Sequence, residues 1–228
     1  MKTSSFGFLS PRSLNLLCIL AVVGFMALSA LSARAEWVTG AGASYVETVF
    51  RPAYDFMYDR ADKEYENTAH GIQADLFGGY RFRPTPKIAL GVGGSLGLTD
   101  ARWSLYTSDA HLVYDIPFNA FLVLEPSVQL FDRFRLFGEL GGGGGYIKES
   151  KSSQESSNYD TADWVWGYRL GGGIGYEFGD DWEVSLAFRR ASYDDVSYQS
   201  HLLDGTHWES ISDRPYSDTV SVGLTRLW

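Results

Sequence analysis

The chain has 228 residues, with 19 Lys and Arg against 28 Asp and Glu, and a single cysteine, Cys18. The acidic balance, −9 at neutral pH, argues against a nucleic-acid partner, whose phosphates need a basic face. One cysteine leaves no disulfide framework to stabilise the fold.

Residues 1–35 read as a secretory signal peptide. Lys2 and Arg12 supply a positive start, Leu14 to Ala30 an apolar stretch, and Ala33-Arg34-Ala35 a small-residue cleavage site before Glu36. Cleavage after Ala35 removes Cys18 together with Lys2, Arg12 and Arg34. The expected mature domain, 36–228, then has 16 basic and 28 acidic residues, a net −12. An uncleaved membrane anchor is the alternative for the leader. Beyond it no apolar run reaches the roughly 18 residues of a spanning helix.

Eight segments alternate apolar with small or polar residues, the period of a strand. They are expected near 36–49, 68–83, 87–100, 118–131, 134–148, 163–178, 182–194 and 215–228. Short connections (Arg83-Pro84-Thr85-Pro86, Asp132-Arg133, Gly179-Asp180-Asp181) alternate with long ones near 50–67, 101–117, 149–162 and 195–214. That is the pattern of short periplasmic turns and long extracellular loops. One face is greasy: Ile72, Leu76 and Tyr80, then Ile88, Leu90 and Val92, then Leu122, Leu124 and Val128. Aromatics such as Trp164, Trp166, Phe178 and Trp182 gather at the ends of the runs, where membrane-interface girdles lie. The fold class read from this is all-β: an eight-stranded antiparallel up-and-down transmembrane β-barrel. A soluble β-sandwich would also alternate, but its greasy faces would meet each other.

The opposite parity points charges inward: Gln73, Asp75 and Arg81, Glu125 and Gln129, Arg135 and Glu139, Arg169 and Glu177, Glu183 and Arg189. Eight strands enclose a lumen that side chains fill, and unpaired buried ions are costly. Arg81, Arg135, Arg169 and Arg189 are therefore expected to pair with Asp75, Glu125, Glu139, Glu177 and Glu183. An ion path or a catalytic carboxylate pair is the functional alternative. Inward glycines (Gly91, Gly93, Gly97; Gly141, Gly143, Gly145; Gly171, Gly173, Gly175) either make room for long side chains and curvature or leave a cavity for a lipid or solute.

The long loops are polar and acidic, with Asp55, Asp59, Asp62, Glu64 and Glu66 in the first. They either remain solvated or hold divalent cations that bridge lipopolysaccharide. Trp103, Tyr106 and Trp208 offer contact points for a host or envelope protein. None of the four histidines (His70, His111, His201, His207) precedes a Ser by two, and Asp204-Gly205-Thr206-His207 lacks the spacing of an Asp-x-His pair. His201, Asp204 and His207 are a weak zinc set. No enzyme, metal or cofactor is expected.

The chain closes Ser221-Val222-Gly223-Leu224-Thr225-Arg226-Leu227-Trp228. With the signal peptide, the loop alternation and Gly171–Phe178 running into Asp180–Phe188, this ending resembles the small eight-stranded outer-membrane proteins of the OmpA/OmpX/opacity-protein type. Ser221, Gly223 and Trp228 match the assembly signal of such barrels, and Arg226 stands where that signal usually has an apolar residue. The resemblance implies insertion by the barrel-assembly machinery into the bacterial outer membrane. It implies no single activity, since this fold carries adhesins, anchors and enzymes. The reading is a non-enzymatic barrel anchoring four surface loops, for envelope integrity or adhesion. Alternatives are a small-solute channel, a lipid-binding barrel or, less favoured, a lipid A-modifying enzyme.

Overall fold

A computed structural model describes residues 35–50, 67–106, 110–153, 159–201 and 207–228. The residues before Ala35, where a signal peptide is expected, the first-loop acids Asp55 to Glu66, and Asp204 lie outside them. The strands are β1 (Ala35–Phe50), β2 (Asn67–Phe82), β3 (Ile88–Thr99), β4 (Arg102–Tyr106), β5 (Ala110–Phe131), β6 (Phe134–Ser153), β7 (Tyr159–Phe178), β8 (Trp182–Tyr193), β9 (Val196–His201), β10 (His207–Asp213) and β11 (Tyr216–Leu227). No helix occurs among the described residues.

β4 continues β3 past a break at Asp100–Ala101, since both lie between β2 and β5. The break is held locally: the Ile72 amide donates to Asp100 Oδ1 at 2.7 Å and the Ala101 amide to Thr99 Oγ1 at 3.0 Å. The wall thus has eight antiparallel staves: β1, β2, β3–β4, β5, β6, β7, β8 and β11. It closes because β1 pairs with both β2 and β11. The β9–β10 hairpin forms a separate two-stranded sheet.

The closure is sheared. Directly opposed residues run Trp37, Tyr80, Val92, Leu124, Leu140, Leu170, Arg190, Asp218 and back to β1 at Glu47. One circuit of the wall therefore climbs from residue 37 to residue 47, which tilts eight strands by roughly 40–45°.

The greasy face points outward. Ile72, Leu122, Leu170, Leu186 and Val222 are exposed, whereas Arg81, Arg135, Glu139 and Glu183 are buried inside. This inverts the arrangement of a soluble protein, and with it the β-sandwich fails. The periplasmic rim is aromatic: Trp37 lies 3.8 Å from Tyr80 between ring centroids, and Phe134 4.9 Å from Tyr176. Arg226 is part of that rim, with its guanidinium 3.8 Å from the Trp228 ring and 5.7 Å from that of Trp182. Stacking on aromatic faces suits a cation at the interface.

Four staves outrun their expected limits, the β3–β4 stave by continuing to Tyr106. β5 begins at Ala110, β6 continues to Ser153 and β7 begins at Tyr159, so much of the expected 101–117 and 149–162 loops is ladder. Once both faces of a strand meet water, alternation fades while backbone pairing such as Lys148 opposite Ala162 persists. Unboiled protein from the outer-membrane fraction is expected to run at a different mobility on a denaturing gel from a boiled sample. A single mobility with and without boiling would contradict the closed wall.

Candidate functional site

The lumen is the part of the molecule richest in chemistry. Its periplasmic half holds a chain of alternating charge. Glu36 pairs with Arg83 at 3.2 Å, Arg83 with Glu177 at 2.9 Å, and Glu177 with Arg81 at 3.9 Å. Arg81 then meets Glu183 at 3.2 Å, Glu183 meets Arg135 at 2.5 Å, and Arg135 meets Glu125 at 2.6 Å. Glu183, 1% exposed, takes two-pronged hydrogen bonds from both arginines. Such charge-assisted, paired contacts are the strongest polar links available in a confined space.

A second cluster lies farther along. Glu139 bridges Arg169 at 2.5 Å and Arg189 at 2.7 Å. Arg169 donates to Ser95 Oγ at 2.7 Å and lies 4.7 Å from the Phe121 ring; Arg189 donates to Ser221 Oγ. Asp75 anchors a third, mostly uncharged chain, accepting from Ser44 and from Gln73 at 2.6 Å, while Asn119 donates to Gln73 at 3.0 Å. All nine charged residues expected inside thus face the lumen, but in three groups and not one. Gln129 instead reaches the turn, donating to the Asp132 carbonyl at 3.3 Å.

Glycines stand opposite the longest of these side chains. A Cβ on Gly91 would meet Glu125 Cβ at 3.2 Å, on Gly171 Arg189 Cγ at 2.9 Å, and on Gly175 Glu183 Cδ at 2.9 Å. Between the ionic groups remains a cavity of about 90 Å³, bordered by Gly79, Gly93, Ser95 and Ser185. Toward the extracellular end the lumen becomes apolar, where Val46, Phe50, Tyr114, Ile116, Ile147, Val165 and Tyr193 pack together.

Arg83 and Glu36 are luminal-chain members that the alternation argument passed over. Arg83 opens the expected Arg83-Pro84-Thr85-Pro86 turn, yet it extends the inward parity of Asp75 and Arg81, and Glu36 that of Gly42 and Ser44. Burial opposes the Arg83 charge, but the hydrogen bond to Glu177 and the charges of Glu36 and Glu177 outweigh it and hold its pKa above the ordinary value. Of the closing residues, Ser221 and Gly223 face inward, and Gly223 abuts Ser185. Trp228 lies outside, its indole donating to Thr39 Oγ1 at 3.1 Å.

His70 lies on the outer wall, 2.7 Å from the Tyr45 hydroxyl. His201 and His207 oppose each other in the β9–β10 register. Among the described residues no group of three His, Cys, Asp or Glu side chains is arranged to hold a metal.

The family described as outer membrane protein beta-barrel domain matches residues 18–223, and the chain belongs to that family, whose members are proteins of the bacterial outer membrane. Among solved structures, the outer membrane protein OprG of Pseudomonas aeruginosa is similar at 13% identity and TM-score 0.51, covering 86% of this chain and 97% of its own. Neisserial surface protein A gives 12%, 0.47, 85% and 98%. The outer membrane protease OmpT of Escherichia coli gives 10%, 0.48, 85% and 96%. These likenesses concern the fold alone. No curated protein matches the chain.

Removing one partner of a buried ion pair strands the other, at a cost of about 3–5 kcal/mol. Glu183→Ala, which leaves both Arg81 and Arg135 short of a carboxylate, is expected to lower the stability of the folded barrel by that amount in urea titration from detergent micelles. Asp195→Asn, which breaks the exposed pair with Arg214, is expected to leave the midpoint unchanged.

Proposed function

We propose that this member of the outer-membrane β-barrel family is a non-enzymatic anchor, an occluded barrel that holds its extracellular extensions at the cell surface for envelope integrity or adhesion. The observation that carries this reading is the filling of the lumen. An ion or solute moving through would have to part the Glu36-to-Glu125 chain, then Glu139 from its two arginines, then the packed Phe50, Tyr114, Ile147 and Tyr193. Each luminal carboxylate of the two ionic groups is held by arginine, which favours a structural role over acid–base work.

The extended β3–β4/β5 and β6/β7 arms suit contact with lipopolysaccharide or with a host or envelope protein, because their backbone pairing continues beyond the expected limits of the wall. Delivery would begin with export and cleavage after Ala35. Ser221, Gly223 and Trp228 on the closing strand would then be read by the barrel-assembly machinery.

The luminal cavity favours one alternative, a barrel that binds or passes a small polar solute. Planar-bilayer recording separates the two. The purified folded protein is expected to give no resolved unit conductance in concentrated potassium chloride. A steady conductance from the heat-modifiable form would overturn the anchor reading in favour of the channel.

A further inference from the structure

Outward-facing charges form a line on the wall. Arg190, Asp218, Glu47, His70, Arg102 and Asp115 are each directly opposed to the next, across β8, β11, β1, β2, β4 and β5, and Lys148 on β6 opposes Asp115. Lines of opposed residues climb in this sheared wall. The circuit that starts at Trp37 is apolar through Tyr80, Val92, Leu124, Leu140 and Leu170, then turns charged at Arg190, Asp218 and Glu47.

The greasy belt is consequently a ramp with a step. β7 and β8 are paired from their periplasmic ends, with Phe178 opposite Trp182. On β8 the outward residues are apolar at Trp182, Val184, Leu186 and Phe188, followed by Arg190 and Ser192. On β7 they are greasy or aromatic all the way through Leu170, Tyr168 and Trp166 to Trp164, apart from Gly172. The charge on the short side is held in place. Arg190 Nε donates to Asp218 Oδ1 at 2.6 Å and Nη2 to Oδ2 at 2.5 Å, with the guanidinium 4.8 Å from the Tyr216 ring and the Arg190 side chain 54% exposed.

Charged side chains on the lipid face are unfavourable at the bilayer midplane and cost little at the interface. The Arg190–Asp218 pair therefore marks where the headgroups lie on its flank, and Trp164 marks them on the other. We infer that the barrel wears an uneven lipid collar. Along β8, β11 and β1 the outer-leaflet headgroups descend to Arg190 and Asp218; along β6 and β7 acyl chains rise toward Trp164. The partner of this surface is the bilayer itself, thinned on one side. A rigid tilt of the barrel levels a smooth gradient around the wall, but not a step between adjacent strands.

Nitroxide depth measurements test this on the full protein with Cys18→Ser, returned to phosphatidylcholine vesicles after purification. Single labels are placed at Ser192→Cys and Trp166→Cys, and their accessibility to oxygen and to a nickel chelate is compared. Ser192 opposes Tyr168, and Trp166 lies one outward position farther toward the extracellular end. The expected result is nonetheless that Ser192 favours the nickel chelate and Trp166 favours oxygen. A Ser192 label as deep as the Trp166 label, or deeper, overturns the uneven collar. Adding Arg190→Leu with Asp218→Leu is expected to carry the Ser192 label into the oxygen-rich region, in a variant whose gel shift confirms folding. A Ser192 label that does not move overturns the role given to the pair.

Discussion

Everything in this molecule depends on how eight strands fill the space they enclose. A sheet of this number closes on a lumen too narrow for a water column and too wide to leave empty. Alternation forces every second residue into it. The outward face must be apolar to meet lipid, so the inward face inherits the polar residues. Buried charges are tolerated only when they neutralise one another with good geometry, and the alternating series from Glu36 to Glu125 does so by drawing on β1, β2, β5, β6, β7, β8 and the turn after β2. Glycine at 91, 171 and 175 is the steric counterpart of the two ionic groups. It yields volume on one strand where Glu125, Arg189 and Glu183 need it.

The order of layers along the axis has its own logic. Ions occupy the periplasmic half and the middle, and hydrocarbon occupies the extracellular end. An ionic layer open to the periplasmic mouth keeps part of its hydration, as at Glu36 and Arg83, whose side chains are 30% and 18% exposed. The apolar cluster around Tyr114 and Ile147 then closes the other end without further charged partners. On the anchor reading proposed above, a lumen arranged this way resists passage twice, once by electrostatics and once by packing.

Much of this was legible in the sequence because a period of two is unambiguous wherever one face meets lipid. The eight staves, the three short turns and the inward side of Arg81, Arg135, Arg169 and Glu183 follow from parity alone. Which arginine meets which acid does not, because pairing across a barrel depends on the shear, and shear is a property of register rather than of any one strand. Glu36 and Arg83 escaped notice because they sit where strands end and alternation has too few repeats to read. The arms beyond Lys148 and Asp115 escaped for the opposite reason: their ladders continue where neither face needs to be apolar. Ser44 and Ser95 carry no signal of their own, and Ser221 none for its luminal contact, since a small hydroxyl in a strand becomes a hydrogen-bond partner only when a long side chain arrives from across the lumen.

Inside and outside are linked by that same shear. A ten-residue climb per circuit staggers the luminal carboxylates so that an arginine from one strand can reach acids at two heights, as Arg135 reaches Glu125 and Glu183. On the outer wall the identical climb carries the line from Arg190 through Asp218 and Glu47 upward toward β5. A flatter barrel would level the outer boundary, but it would also alter the stagger that lets the luminal charges alternate. The ionic filling and the slope of the greasy belt are two consequences of one register, so neither can be changed by shifting strands without disturbing the other.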